Sequence, residues 1–396
     1  MKIIHTADWH IGQTFFGHER RHEHHFFLSW LTSQLKEREI DLLLVAGDIF
    51  DSPNPSAESQ KIYYNFIREV TLLCPDLQII ITSGNHDSAA RLEAPNPLLN
   101  CLNVTVRGVI NRTADGTIDF DRLIIPIKDG GCCLAVPYLR QGDYPAADNH
   151  SNGVKELYDR LYKIASERYS PIIAMGHLQA TGSEISIDDR NERTTIGGLD
   201  LVTPDFSGDN ILYTALGHLH RAQRVSQREN MRYSGAPLPM SFAEIKNKQS
   251  VTMITIADGK SIIEKIPFDA PVKLLSIPSR PLPLEEVIEE IKKLPCGEIT
   301  DESPFLEVRV LAEGADPTRR QQIEEALDGK AVRLARIVAV SPERKDSQIS
   351  QITYDDLKKI VPMELAKIVY RQKYNDSEMP EEIEELLAKI IKEVEV

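Results

Sequence analysis

Leu42-Leu43-Leu44-Val45-Ala46-Gly47-Asp48-Ile49-Phe50-Asp51 sets five apolar residues in a row against a glycine and an aspartate. A run with no polar face must be covered on both sides if it is a strand, which is the situation of the parallel strands of α/β proteins. Four more runs share the pattern. Ile3 to Thr6 leads to Asp8-Trp9-His10, and Ile79 to Thr82 leads to Gly84-Asn85-His86-Asp87. Ile172 to Met175 leads to Gly176-His177, and Leu212 to Ala215 leads to Gly217-His218-Leu219-His220. Helical stretches between them make βαβ units. Between the third and fourth runs, the Asp115-Gly116 and Gly130-Gly131 turns predict antiparallel strands around Leu123-Ile124-Ile125 and Leu134-Ala135-Val136.

Ligands of α/β folds collect beyond the carboxyl ends of the strands, so the five strand ends should converge although they are far apart in sequence. Asp8 and His10, or His218 and His220, are alternate residues that would point the same way from an extended backbone. Asp8, His10, Asp48, Asn85, His177, His218 and His220 amount to two carboxylates, one amide and four imidazoles. Seven donors exceed the need of one ion and suit two that share a bridge, for which Asp48 is the candidate. Oxygen and imidazole donors without thiolate suit manganese, iron or zinc better than calcium. Such a pair activates water and clamps a phosphate for in-line displacement. His86 sits beside Asn85 and is expected over the phosphate as a donor, with Asp87 to orient it.

Other features read as structural. Trp9 reads as core support, Asp51 as a cap for the following helix, and Cys132-Cys133 as buried thiols in a strand. The Arg20-Arg21-His22-Glu23-His24-His25 run reads as a solvated helix face. Arg140, Arg190, Arg193, Arg221, Arg224 and Arg232 could line a phosphate track or be ordinary surface charge.

The chain has 396 residues, more than one hydrophobic core usually serves. Its net charge of -14 argues against nucleic-acid binding by bulk electrostatics, so any DNA surface must be local or shared with a partner. Five scattered cysteines without a C-x-x-C pair point to a reducing compartment. No apolar run approaches the length of a membrane span and the start lacks a signal peptide, so a cytoplasmic protein is expected. Prolines at 267, 271, 278, 281 and 283 suggest a boundary near 270. Beyond it, Val272 to Ile277, Leu284 to Leu294, Phe305 to Val310, Thr318 to Leu327 and Val332 to Val340 read as a small β-α-β-α-β domain. Amphipathic helical patterns follow at Tyr354 to Tyr374 and Pro380 to Val394. From Asp376 to Val396 eight acids face two lysines, which is unsuited to a DNA arm.

Five motifs resemble the calcineurin-type metallophosphoesterase superfamily, and within it the SbcD-type nuclease subunits. They are His5-Thr6-Ala7-Asp8-Trp9-His10-Ile11-Gly12, Val45-Ala46-Gly47-Asp48-Ile49-Phe50-Asp51, Ser83-Gly84-Asn85-His86-Asp87-Ser88, Ala215-Leu216-Gly217-His218-Leu219-His220-Arg221-Ala222 and Arg232-Tyr233-Ser234-Gly235-Ala236-Pro237. The resemblance implies a four-layer α/β metallophosphoesterase sandwich over 1–270, a small α+β capping domain over 271–345 and C-terminal helices over 346–396. It assigns Asp8, His10, Asp48 and His220 to one Mn²⁺ and Asp48, Asn85, His177 and His218 to the other, Mg²⁺ or another divalent ion being an alternative. It further implies exonuclease action on double-stranded DNA and endonuclease action on single strands or hairpins, in double-strand-break processing, recombination and replication. The implied partners are a coiled-coil ATPase of the SbcC type, docked by the C-terminal helices, and a second copy of the chain, met through helices near Gln60 to Leu73 and Arg91 to Leu102. Two rivals stand beside this reading: a small-molecule nucleotide or cyclic-nucleotide phosphodiesterase, and a non-catalytic scaffold of the same fold.

Overall fold

The computed structural model describes residues 1–183, 201–208, 210–311 and 316–341, with a few positions between 367 and 387. Residues 1–341 form one compact body and 342–396 a second unit. The apolar run at 42 is strand β4 (Leu42–Ala46), fully buried in the first of two six-stranded sheets. It pairs in parallel with β1 (Lys2–Thr6) on one side and β5 (Gln78–Thr82) on the other. Beyond β5 lies β6 (Val104–Arg107), also parallel. Beyond β1, the hairpin β13 (Ser250–Ala257) and β14 (Lys260–Pro267) closes the sheet in antiparallel register, with Ile4 opposite Met253.

The second sheet contains β7 (Ile124–Pro126), β8 (Cys132–Ala135), β9 (Ile172–His177), β10 (Tyr213–Gly217), β11 (Gln223–Val225) and β12 (Arg228–Tyr233), in the order β11-β12-β10-β9-β8-β7. The antiparallel pairing expected near Leu123 and Leu134 is present, with Ile124 opposite Leu134. The five ligand-bearing strands are therefore not neighbours in one sheet: β1, β4 and β5 belong to the first, β9 and β10 to the second.

Period-two alternation distributes the side chains between layers. From β4, Leu42, Leu44 and Ala46 join Ile3, Ile80, Cys133, Ile173, Met175 and Ala215 in the core between the sheets. Leu43 and Val45 point the other way, beneath helices Arg21–Glu37 and Ala57–Leu73. The helix His150–Ser166 covers the outer face of the second sheet with Val154, Leu157, Tyr158 and Leu161. Helix, sheet, sheet and helix make the four layers expected. Ser56 caps the helix at 57 by accepting from the amide of Ser59.

The run from Arg20 to His25 is only half solvated. Arg20, Glu23 and His24 are buried, contrary to expectation. The Arg20 guanidinium donates to both oxygens of Glu23 (2.9 and 2.7 Å), to Gln13 Oε1 (2.8 Å) and to the carbonyl of Pro239 (2.7 Å). With four of its five N–H donors engaged and its charge matched, burial is tolerated. Trp9 is core support as expected, buried edge-on against Phe27 and Phe66 with its indole N–H donated to Thr6. Cys132 and Cys133 are buried in β8.

After Pro267, β15 (Leu274–Leu282), β16 (Phe305–Leu311) and β17 (Arg333–Val340) form a parallel three-stranded sheet. Helices Leu284–Lys292 and Arg319–Ala326 close its core through Val287, Ile291 and Ile323. A second small core of Phe15, Phe242, Val272, Leu274 and Phe305 joins this sheet to the loops beside the ligand residues. In the second unit, Lys367 and Glu384 form an ion pair at 2.6 Å. The helices expected from 354 to 394 otherwise lie outside the described residues.

Candidate metal centre

Strand β1 ends at Thr6, and the segment after it is stitched to the segment after β4. The amides of Asp8, His10 and Ile11 donate to the carbonyls of Gly47, Asp48 and Ile49 at 3.0, 3.0 and 2.9 Å. Asp8 (φ 54°), His10 (φ 46°) and Asp48 (φ 50°) all adopt left-handed backbone, and His218 reaches φ 101°. These residues do not point from extended strands, as alternate spacing predicts. The turn that follows each strand aims them, and strain of this kind concentrates where a site holds it in place.

The two sheets meet at these ends. His177 closes β9, and its Nδ1 donates to the carbonyl of Ala46 at the end of β4 (2.9 Å). This bond keeps a proton on Nδ1 and turns Nε2 toward the centre, where it would ligate a cation once its own proton is lost. There it lies 3.2 Å from Asp48 Oδ2 and 3.0 Å from Asn85 Oδ1. His10 Nε2 approaches the same Asp48 oxygen at 3.7 Å. Asn85 Oδ1 also faces His218 Nδ1 at 3.0 Å, while the His218 amide donates to Asp8 Oδ1 at 2.9 Å. Donor atoms of Asp8, His10 and His220 lie within 4.8 Å of one another, as do those of Asp8, Asp48 and His177, and of His10, Asp48 and His86. All seven expected donors are thus brought together, with Asp48 between the groups.

Close approach here requires the absence of side chains. A Cβ on Gly47 (φ +86°) would meet His177 Nδ1 at 2.2 Å, and one on Gly217 would meet the Ala46 carbonyl at 1.9 Å.

The electrostatics suit a cation. Burial pushes the Asp8 carboxyl up, reinforced by the Asp48 charge and opposed by His177 and His10. Burial also disfavours the Asp48 anion, but His177, His10 and His86 overcome it and hold the group far below the usual carboxylate range. Burial lowers His177 while Asp48 and Asp8 lift it, for a net rise to about 9. His10 is likewise raised, burial being outweighed by Asp51, Asp48 and Asp8. In the metal-free protein, then, protons on imidazoles neutralise the carboxylates. Asp8 Oδ2 and His10 Nε2 are buried with no hydrogen-bond partner. A divalent cation held by these residues would satisfy both atoms and take the place of those protons, so the residues fit a metal.

Two assignments are corrected. The Asp87 carboxylate does not orient His86. It accepts the amides of Ile49 (3.1 Å), Phe50 (2.9 Å) and Gly84 (2.9 Å), tying the loops after β4 and β5 together. Burial and the Asp48 charge raise its pKa to about 6. His86 is held instead by the Asp51 carbonyl, which accepts from Nδ1 at 2.9 Å, and by its own amide, which donates to Asp48 Oδ1 at 2.8 Å. Asp51 is not a helix cap. Its Oδ1 lies 3.2 Å from His10 Nδ1, behind the ring.

Sequence reading also missed Tyr138, whose ring stands 6.1 Å edge-on from that of His177, and Glu244, 3.8 Å from His220 Nδ1. Neither carries a local signal, because each reaches the centre through folding alone. Of the six arginines singled out, Arg224 and Arg232 pair with Glu229 and Arg140 lies 5.5 Å over Tyr138. Arg190 and Arg193 lie outside the described residues.

Two facing sheets that deliver carboxylates, an amide and imidazoles to one cage define a metallophosphoesterase. Residues 1–222 match the calcineurin-like phosphoesterase family, and residues 270–374 match the family described as type 5 capsule protein repressor C-terminal domain. The chain is 38% identical over 363 residues to the D subunit of the SbcCD nuclease of Rhodobacter capsulatus, covering 87% of this chain and 88% of that protein. The corresponding protein of Escherichia coli K12 is 33% identical over 280 residues, 66% of each chain. That of Bacillus subtilis is 28% identical over 277 residues, 66% of this chain and 67% of the relative. The chain belongs to the SbcD family of nuclease subunits, within the calcineurin-like phosphoesterases. It is a metal-dependent phosphoesterase of the nuclease kind. No helix among the described residues is long and apolar enough to cross a membrane.

Proposed function

We propose that this chain hydrolyses DNA phosphodiester bonds with two divalent cations, Mn²⁺ in the first place, as the nuclease partner of an SbcC-type coiled-coil ATPase in double-strand-break processing, recombination and replication. One observation carries the two-cation reading: Asp48 Oδ2 is faced by His10 from the first sheet and His177 from the second. Asp8, His10, Asp48 and His220 would hold one ion, and Asp48, Asn85, His177 and His218 the other. Such a pair supplies Lewis-acid activation of water and neutralises charge on the scissile phosphate. The protein's own groups do the rest. His177 is locked by the Ala46 carbonyl, His10 is backed by Asp51, and the burial of the cage excludes competing solvent. His86 donates Nδ1–H to the Asp51 carbonyl, so only its protonated form can also offer Nε2–H to a phosphoryl or leaving oxygen.

The relatives' name supports both substrate class and partner. The additional domain from residue 271 to 345 weighs against a small-nucleotide phosphodiesterase, and the complete donor set weighs against a non-catalytic scaffold. Exposed Tyr64, Leu72, Leu73, Leu98 and Leu102 support a homodimer through the helices near 60–73 and 91–102. The C-terminal helices from 346 would engage the ATPase, and the protein would work in the cytoplasm.

The test is hydrolysis of labelled hairpin and linear duplex DNA with Mn²⁺ by the parent, His86→Gln and Asp48→Asn. The parent cleaves DNA faster than mononucleotides, and Asp48→Asn abolishes cleavage. Equal rates for parent and Asp48→Asn refute the assignment.

A further inference from the structure

His220 lies three residues past the end of β10, beyond Gly217. A separate segment, residues 234–246, brings a carboxylate to 3.8 Å from its Nδ1.

That segment is unusually well anchored. The Ala236 amide donates to the His220 carbonyl at 2.9 Å, and the Pro239 carbonyl accepts from the buried Arg20 guanidinium at 2.7 Å. A 3₁₀ turn, Phe242–Lys246, follows. Phe242 is fully buried, with ring centroids 5.4 Å from Phe15 and 5.7 Å from Phe16, and with the Arg336 guanidinium of β17 5.3 Å from its ring. Arg336 is itself held by Glu307 of β16 at 2.6 Å. Two residues after Phe242 comes Glu244, a carboxylate left only 5% exposed. Its Oε2 accepts the Met240 amide at 3.2 Å, and its Oε1 faces His220 Nδ1 at 3.8 Å. A buried carboxylate is costly unless it has a task or a partner, and this one is aimed at the imidazole of a metal ligand.

We propose that Glu244 is the positioning residue for His220: its negative charge, 3.8 Å from Nδ1, favours the tautomer with the proton on that nitrogen and leaves Nε2 for the cation shared with Asp8 and His10. The small three-stranded sheet holds Glu244 in place through Arg336 and Phe242. The inference rests on the two-cation reading above. It assigns different helpers to the two sites, because His177 is oriented by a backbone carbonyl and His220 by a side chain that can be changed alone. Carboxylates behind a ligating histidine are typically worth 10–100-fold in metal affinity.

Mn²⁺ binding to the full chain, followed by calorimetry and by electron paramagnetic resonance, distinguishes the possibilities. The parent takes up two ions and shows the signal of a coupled pair. Glu244→Gln keeps the shape and an acceptor but loses the charge, and it weakens one of the two sites about tenfold, whereas Glu244→Ala weakens the same site up to about 100-fold. In both variants the second site is unchanged, and the coupled signal appears only at higher Mn²⁺. Glu244→Asp restores part of the affinity. Two sites of parental affinity in Glu244→Gln overturn the proposal. So does an equal loss at both sites together with a lower unfolding midpoint, which makes Glu244 a merely structural residue. A parent that binds a single ion refutes the two-cation reading itself, a result separate from either of these.

Discussion

Gly47 and Gly116 have almost the same backbone conformation, φ +86° and +83°, but very different surroundings. Alanine at either position carries the cost of an L-residue in the left-handed region, about 1–2 kcal/mol. At Gly116 a Cβ meets nothing within 4 Å, and that cost is the whole effect. At Gly47 the Cβ would lie 2.2 Å from His177 Nδ1 and 2.9 Å from Gly84 Cα. Relieving that overlap adds about 1–3 kcal/mol of overpacking. Loss of the bond from His177 to the Ala46 carbonyl adds about 1 kcal/mol more. Urea unfolding of chelator-treated protein should therefore show Gly116→Ala destabilised by about 1–2 kcal/mol and Gly47→Ala by about 3–6 kcal/mol. Displacement of His177 also weakens Mn²⁺ binding to Gly47→Ala about 10–100-fold, and Gly116→Ala binds as the parent does. Equal destabilisation of the two variants with unchanged metal affinity refutes the packing account of the site.

Arg20→Met leaves the Glu23 carboxylate buried and unmatched, and is expected to lower stability by about 3–5 kcal/mol in urea titrations, while the Arg20→Met/Glu23→Leu pair recovers much of the loss. Asp51→Ala removes the carboxylate behind His10 but keeps the carbonyl that holds His86. Mn²⁺ affinity should fall about 10–100-fold, and hairpin cleavage at saturating Mn²⁺ should stay near the parental rate. His177, raised to about 9 in the metal-free protein, must give up its proton to a metal. Mn²⁺ affinity therefore climbs up to about tenfold per pH unit below pH 9 and levels off above it, and calorimetry in buffers of different ionisation enthalpy registers proton release at pH 7.5 and none at pH 10. The same group stabilises the metal-free fold fully below its unfolded value of 6.5, and that contribution is lost as pH rises through about 9.

Most of the donor set was legible in the sequence because each donor follows an apolar run that can only be a covered strand. Leu42 to Ala46 before Gly47-Asp48 is the clearest case. The division of those strands between two sheets was not legible from spacing, since β-strand partners are chosen by tertiary packing and leave no periodic trace. For the same reason the helpers were misplaced. Asp51 resembles a helix cap in its local sequence, and only the fold puts it behind His10, while Asp87 sits beside His86 in sequence yet turns its carboxylate toward the amides of Ile49, Phe50 and Gly84. Arg20 and Glu23, three residues apart at a helix start, have the spacing of an exposed ion pair. Their burial follows from Gln13 and Pro239, which no local pattern anticipates.

The first sheet is interrupted in the chain by the whole of the second: β1, β4, β5 and β6 lie before residue 108, and β13 and β14 return only after residue 249. A polypeptide emerging from the ribosome thus presents β1 with one bare edge throughout the synthesis of every strand of the second sheet. Closing so long a loop is slow, and an open edge invites foreign strands. That edge of β1 stays open to mispairing until β13 is made, with Lys2 to His5 waiting for Thr252 to Thr255.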